Sequence, residues 1–233
     1  MASPRHNGFS LVEMAVVLAV LGLLMAGALG AIRLSQEVQR VRSTQDQLAA
    51  IKQTLLGYAV RNGRLPCAAQ VGAEATGLEM REATTGRCAY LQGYLPWATL
   101  GLGHVDAWGR PFTYRVSEAF AGPNTNKSEE VLLAPGMVFH LLTLGDLEIY
   151  PSANSQDYLA SAVAVVIVSH GAHGPGPLEG KGNPDELVNA SDSKMFISKP
   201  RVDEPATNAY DDLTEWINPS QLIAEAISAG RLP

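Results

Sequence analysis

Five groups of residues in this chain are of types that do chemistry. The first is Glu13, a lone carboxylate at the head of an uncharged run from Met14 to Ile32. That run has about 19 residues, close to the roughly 20 a helix needs to cross a bilayer. A carboxylate at mid-membrane costs about 2.5–3.5 kcal/mol on insertion scales, and less near the interface. Glu13 therefore calls for a cationic partner. Cleavage between Gly8 and Phe9 would supply one, because the new terminal ammonium lies four residues from the acid and within reach on a helix. In an assembly, the ammonium of a neighbouring subunit serves equally. The plainer alternative is a signal anchor whose acid falls at headgroup level by chance.

The second group, Ser169-His170-Gly171-Ala172-His173-Gly174, sets a hydroxyl and two imidazoles behind an apolar stretch. No G-x-S-x-G elbow is present, and a nucleophile also needs a base with an acid to orient it. Both histidines are expected to be solvated in a Gly-rich turn, and no enzymatic activity is expected. The third group is Cys67 and Cys88, an even pair downstream of the apolar run. That suits a disulfide in an oxidising compartment. Closing a loop of about 20 residues is worth on the order of 3 kcal/mol in the chain-entropy model. Two buried free thiols are the alternative, and neither has a histidine or a second cysteine at zinc-ligand spacing. The remaining groups are acidic. Asp185, Glu186 and Asp192 form one, and Asp211 and Asp212 form another that is expected to face solvent.

The elements that must position these residues begin with one long helix. Beyond Ile32 the apolar residues Leu34, Val38, Val41, Leu48, Ile51, Leu55 and Tyr58 follow at helical steps. The spacing predicts a single helix from Phe9 to about Arg61, roughly 80 Å long at 1.5 Å per residue. Asn62-Gly63 supply its stop, with Pro66 just beyond. Phe112, Tyr114 and Val116 alternate with polar residues as in a half-buried strand, behind a turn at Gly109 in which Trp108 is expected to pack into the core. Met137–Thr143 and Ala162–Ser169 are further predicted strands. The second is nearly all apolar and is expected at the centre of the sheet. Gly145–Asp157 is expected to be a surface loop, Gly171–Asn183 to lack regular structure, and Phe196–Ser198 to form a short edge strand. Asn218, Pro219 and Gln221 predict a capped helix that Gly230 ends.

Gly8-Phe9-Ser10-Leu11-Val12-Glu13 followed by an apolar helix resembles the class III signal of type IV pilins and type II secretion pseudopilins. The resemblance implies cleavage after Gly8 by a prepilin peptidase and N-methylation of Phe9, with Glu13 at the position of the family's glutamate. It further implies an α+β fold shaped like a ladle: a long N-terminal helix on an antiparallel sheet, closed by a short C-terminal helix. The expected parts are a leader over 1–8, a transmembrane and assembly helix over 9–62, and a globular head over 63–233. Asp106-Ala107-Trp108-Gly109-Arg110-Pro111-Phe112 is similar to a D-P-W-G-x-P-Y motif of major pseudopilins. Ser169 to Gly174 resembles, more loosely, a loop that binds calcium in that family. Where the family loop has aspartate this chain has His173, and Asp185, Glu186 and Asp192 downstream are the candidates to supply oxygens instead. A solvated acidic loop is the alternative, and no other cofactor is expected.

The expected function is that of a minor filament subunit of a secretion pseudopilus or a type IV pilus. Its partners would be the peptidase, other subunits, an inner-membrane assembly platform and the bilayer. Arg5 and His6 precede the apolar run without an acid among them, which orients the leader to the cytoplasm and the head to the periplasm. A membrane-anchored binding module that never polymerises is the alternative. A secreted protein cleaved near Ala31 is another, although Glu13 would be out of place in a Sec signal. The 233 residues carry a net charge of −6, and no stripe of Lys and Arg interleaved with aromatics is present. Neither favours a nucleic-acid partner.

Overall fold

The computed structural model describes residues 10–72, 74–123, 134–174, 183–202 and 209–233, with the side chains of 24–33 outside that set. The chain divides into two compact units, Met1–Arg42 and Ser43–Pro233. Helix α1 (Leu11–Asn62) contributes to both. It ends where the sequence says it should. Gly63 takes φ +69°, and a Cβ there would lie 1.7 Å from the carbonyl oxygen of Gly136. The side-chain amide of Asn62 donates to the carbonyl of Tyr58 at 2.9 Å, satisfying one of the last helical acceptors.

Ser43–Pro233 is built on two sheets. Strands β1 (Gln92–Tyr94), β2 (Thr113–Val116), β5 (Val165–Ser169) and β7 (Leu213–Ile217) form a four-stranded antiparallel sheet in the order β1-β2-β5-β7. Strands β3 (Leu147–Tyr150), β4 (Ala160–Val163) and β6 (Met195–Ile197) form a second sheet in the order β4-β3-β6. There β3 pairs antiparallel with β4 and parallel with β6. Short helices α2 (Trp97–Leu100), α3 (Glu118–Ala121) and α4 (Pro184–Ala190) lie between strands, and α5 (Pro219–Ser228) closes the chain. A long N-terminal helix, an antiparallel sheet and a short C-terminal helix make this an α+β, pilin-like plan.

The central place of β5 follows from its composition. Val165 and Ile167 pack in one core with Tyr114, Val116, Ile217 and the helical residues Leu48, Ile51 and Leu55. Val166 and Val168 pack in a second core with Leu147, Ile149, Val163 and Phe196. A strand covered on both faces has no position for a polar side chain until its last residue, which explains the unbroken apolar run.

Three expectations about elements are corrected. Met137–Thr143 holds turns rather than a strand; Met137 and Phe139 are buried there as core side chains on irregular backbone. The predicted surface loop Gly145–Asp157 contains β3, the middle strand of the second sheet, whose Leu147 and Ile149 alternate inward. Trp108 is half-buried, and Phe112 of the same motif fills the core position instead. The edge strand at Phe196 and the C-terminal helix stand as expected. Asn218 N–H donates to Gln221 Oε1 at 3.1 Å, the reciprocal arm of a capping box.

Candidate functional site

Helix α1 starts at Leu11, which places Glu13 in its first turn. Glu13 Oε2 accepts the Ser10 N–H at 3.3 Å, and Ser10 Oγ accepts the Val12 N–H at 3.3 Å. The carboxylate is thus folded back toward the helix start, where unpaired N–H groups and the helix dipole favour negative charge. It points toward the end of the chain at which Phe9 would carry its ammonium. Gly8 and Phe9 themselves lie outside the described residues.

On both sides of Glu13 in sequence, the helix presents exposed apolar side chains over Leu11–Leu23. Leu11 is 90% exposed, Leu23 75%, and Val12, Met14, Val16, Val17, Leu18, Val20 and Leu21 are all exposed between them. A surface of this kind is far beyond the scattered apolar residues of ordinary soluble proteins, and marks contact with lipid or with other helices. The exposed apolar positions continue at Leu34 and Val38, and burial begins at Thr44 and Leu48. Among the described residues, no helix is long and apolar enough to cross a membrane. The uncharged run from Met14 to Ile32 passes through 24–33, whose side chains are outside the described set.

Residues 3–29 match the family described as the prokaryotic N-terminal methylation motif. This is a prepilin-type N-terminus. The methylation motif is consistent with the type IV pilin and pseudopilin family, and it covers Gly8, Phe9 and Glu13 together. No curated protein and no solved structure matches the chain.

Away from the methylation motif, Cys67 and Cys88 are joined in a disulfide, and no free cysteine is present. Beside it sits a half-buried acid, Glu79, that no motif in the sequence marks. Arg64 donates to both of its oxygens at 2.8 Å, Cys67 N–H to Oε2 at 3.0 Å, and the Tyr58 hydroxyl to Oε1 at 3.0 Å. Burial alone would raise the Glu79 pKa. The hydrogen bonds from Arg64 and Cys67 and the charges of Arg64 and Arg81 outweigh it and hold the group at about 2.

The loop after β5 is also corrected. His170 is buried, with Nε2 2.8 Å from Thr113 Oγ1 and Nδ1 3.4 Å from Asp212 Oδ1. Ser169 Oγ donates to Asp106 Oδ2 at 2.6 Å. Ser169 and His170 therefore serve different partners and form no nucleophile–base pair. Asp106 also accepts the N–H groups of Trp108 and Arg110, both at 2.9 Å, and so ties the turn at Gly109 to the end of β5. Asp211 and Asp212, expected in solvent, are 1% and 2% exposed. Asp211 Oδ2 accepts the N–H groups of Ala172 at 2.7 Å and His173 at 3.0 Å, which fixes the turn. His173 is exposed, as expected. Nothing in sequence spacing announces these pairings, since Asp211 lies 38 residues from His173.

The three acids proposed for calcium do not share one site. Asp185 pairs with Lys199 and accepts the Ala153 N–H. Asp192 is on the surface against Arg115. Among the described residues, Glu186 alone of the three meets other potential ligands, namely His173 and Asp211, with donor atoms of the three residues all within 4.8 Å of one another. Burial first, and then the charges of Asp212 and Asp211, push the Glu186 pKa up against the hydrogen bonds it accepts from Asp211 and Asn183. Calcium takes six to eight hard oxygens. A set built on an imidazole does not fit it.

Proposed function

We propose that the protein is a prepilin-like structural subunit of a type II secretion pseudopilus or a type IV pilus. A prepilin peptidase cleaves it after Gly8 and methylates Phe9. The subunit then waits in the inner membrane with its head in the periplasm. Its work is assembly rather than turnover: apolar helices bundle, and Glu13 sets their register by neutralising a terminal ammonium. The observation that carries this reading is Glu13 folded toward the helix start at the head of a helix whose apolar side chains over Leu11–Leu23 are uncovered.

Physical chemistry supports the pairing. Each charge is costly in lipid alone, and the pair is tolerated only where subunits meet in the right register. Similarity of the Asp106–Phe112 turn to the major-pseudopilin motif favours the secretion system over the pilus. Mass spectrometry of membrane-purified protein tests the processing step, with N-methyl-Phe9 as the expected terminus. An uncut leader would support a non-polymerising anchor, and a start near Ala31 a secreted form. The Glu13→Gln variant tests the mechanism. Processing should be normal and filament yield should fall at least about tenfold, the factor that 1.4 kcal/mol of lost pairing gives. Filaments at the normal level would exclude the register role.

A further inference from the structure

We infer that His173, Glu186 and Asp211 form a binding site for a divalent metal ion of the zinc class. The inference is independent of the assembly reading, because all three residues lie in Ser43–Pro233, away from the methylation motif.

The first ground is geometric. One nitrogen and two carboxylate oxygens lie within 4.8 Å of one another. Ligands about 2.0–2.2 Å from a common ion fall within that separation. Asp211 Oδ2 is already 3.2 Å from His173 Nδ1, and Glu186 Oε1 is tied to the backbone of the same segment by the Asp211 N–H at 2.9 Å. The ligands are therefore held by the fold rather than gathered from loose chain.

The second ground is charge. Glu186 and Asp211 are 2% and 1% exposed, and neither forms an ion pair with a lysine or arginine among the described residues. Buried carboxylates are ordinarily paired or bound to metal. The nearby cations are committed elsewhere: Lys199 to Asp185, and Arg110 to the carbonyl of Gly171. Two carboxylates and a divalent ion sum to zero. The third ground is an orphan. Asp211 Oδ1 is buried and has no hydrogen-bond partner, so one oxygen of this side chain is left without the donor its burial calls for.

The ligand types choose the metal. Imidazole with two carboxylates suits zinc and its neighbours in the first transition series, whereas calcium and magnesium prefer oxygen alone. His173 is 51% exposed, which gives the ion a path in and leaves room for water as a further ligand.

The test uses the full chain in detergent, stripped of metal with a chelator. Zinc is titrated in competition with a chromogenic chelator, and melting is followed with zinc or calcium alone. The expected result is one zinc per chain and a higher melting temperature with zinc but not with calcium. His173→Ala, at an exposed position, should melt like the wild type without metal and lose at least about tenfold in zinc affinity, the lower end of what even an outer-sphere change costs. His173→Asp should weaken zinc and bring in a calcium response. Failure of the wild type to bind zinc, binding by His173→Ala at the wild-type level, or stabilisation of the wild type by calcium in place of zinc would each overturn the inference.

Discussion

Glu79 shows how one acid can hold a region that has little regular structure. It gathers Arg64, the Cys67 amide and the Tyr58 hydroxyl next to the disulfide. Its pKa of about 2 lies below the ordinary carboxylate value of 4.5. A folded-state pKa that is depressed contributes stability above the unfolded value, and that stability is lost as pH falls from about 4.5 toward 2. Discounted for solvent screening, the contribution is about 2 kcal/mol. Glu79→Gln should therefore lower stability by roughly that amount at pH 7 and flatten the acid limb of the stability profile between pH 5 and 2, read by denaturant melts across pH. An unchanged acid limb would remove Glu79 from this role. No sequence pattern marks such a residue. Glu13 was legible because its surroundings were abnormal along the chain; Glu79, Asp106 and Asp211 are abnormal only in space, after partners 15, 63 and 38 residues away have been brought to them.

The elements were legible where local chemistry and tertiary packing agree. The end of α1 at Asn62-Gly63, the apolar β5 and the capped α5 each carry a signal within a few residues. β3 was hidden because its four residues sit among turn-forming neighbours and gain their strand from pairing with β4 and β6. Met137–Thr143 failed in the opposite way: its apolar side chains are buried, yet the backbone turns. Apolar content reports burial more faithfully than it reports strand. The stop at Gly63 makes a sharp test. Its positive φ and the 1.7 Å approach of a Cβ to Gly136 O leave no room for a side chain. Gly63→Ala should cost about 1–3 kcal/mol, measured as a fall in the denaturant midpoint with an unchanged slope. Gly57→Ala, with open space around it in the same helix, should instead be neutral or slightly stabilising.

At the scale of the whole chain, the contrast lies between two kinds of apolar surface. From Leu48 onward, the apolar side chains of α1 are covered by the sheet and by α5. From Leu11 to Leu23, and again at Leu34 and Val38, they are uncovered within a single chain. Fully burying a Leu, Val or Met side chain is worth about 1.5–3 kcal/mol, so nine uncovered residues over Leu11–Leu23 represent up to about 14–27 kcal/mol of unmet burial. Electrostatic adhesion to a surface cannot substitute for that, because it weakens in salt while apolar burial does not. The full chain should therefore stay with the membrane fraction through high-salt and alkaline washes and leave it only in detergent. Two leucine-to-arginine changes at Leu18 and Leu21 should abolish that retention while leaving the Cys67–Cys88 disulfide intact, since neither position belongs to the unit that holds it. Release of the unaltered chain by salt alone would mean that these side chains are covered by a partner rather than by lipid or neighbouring helices.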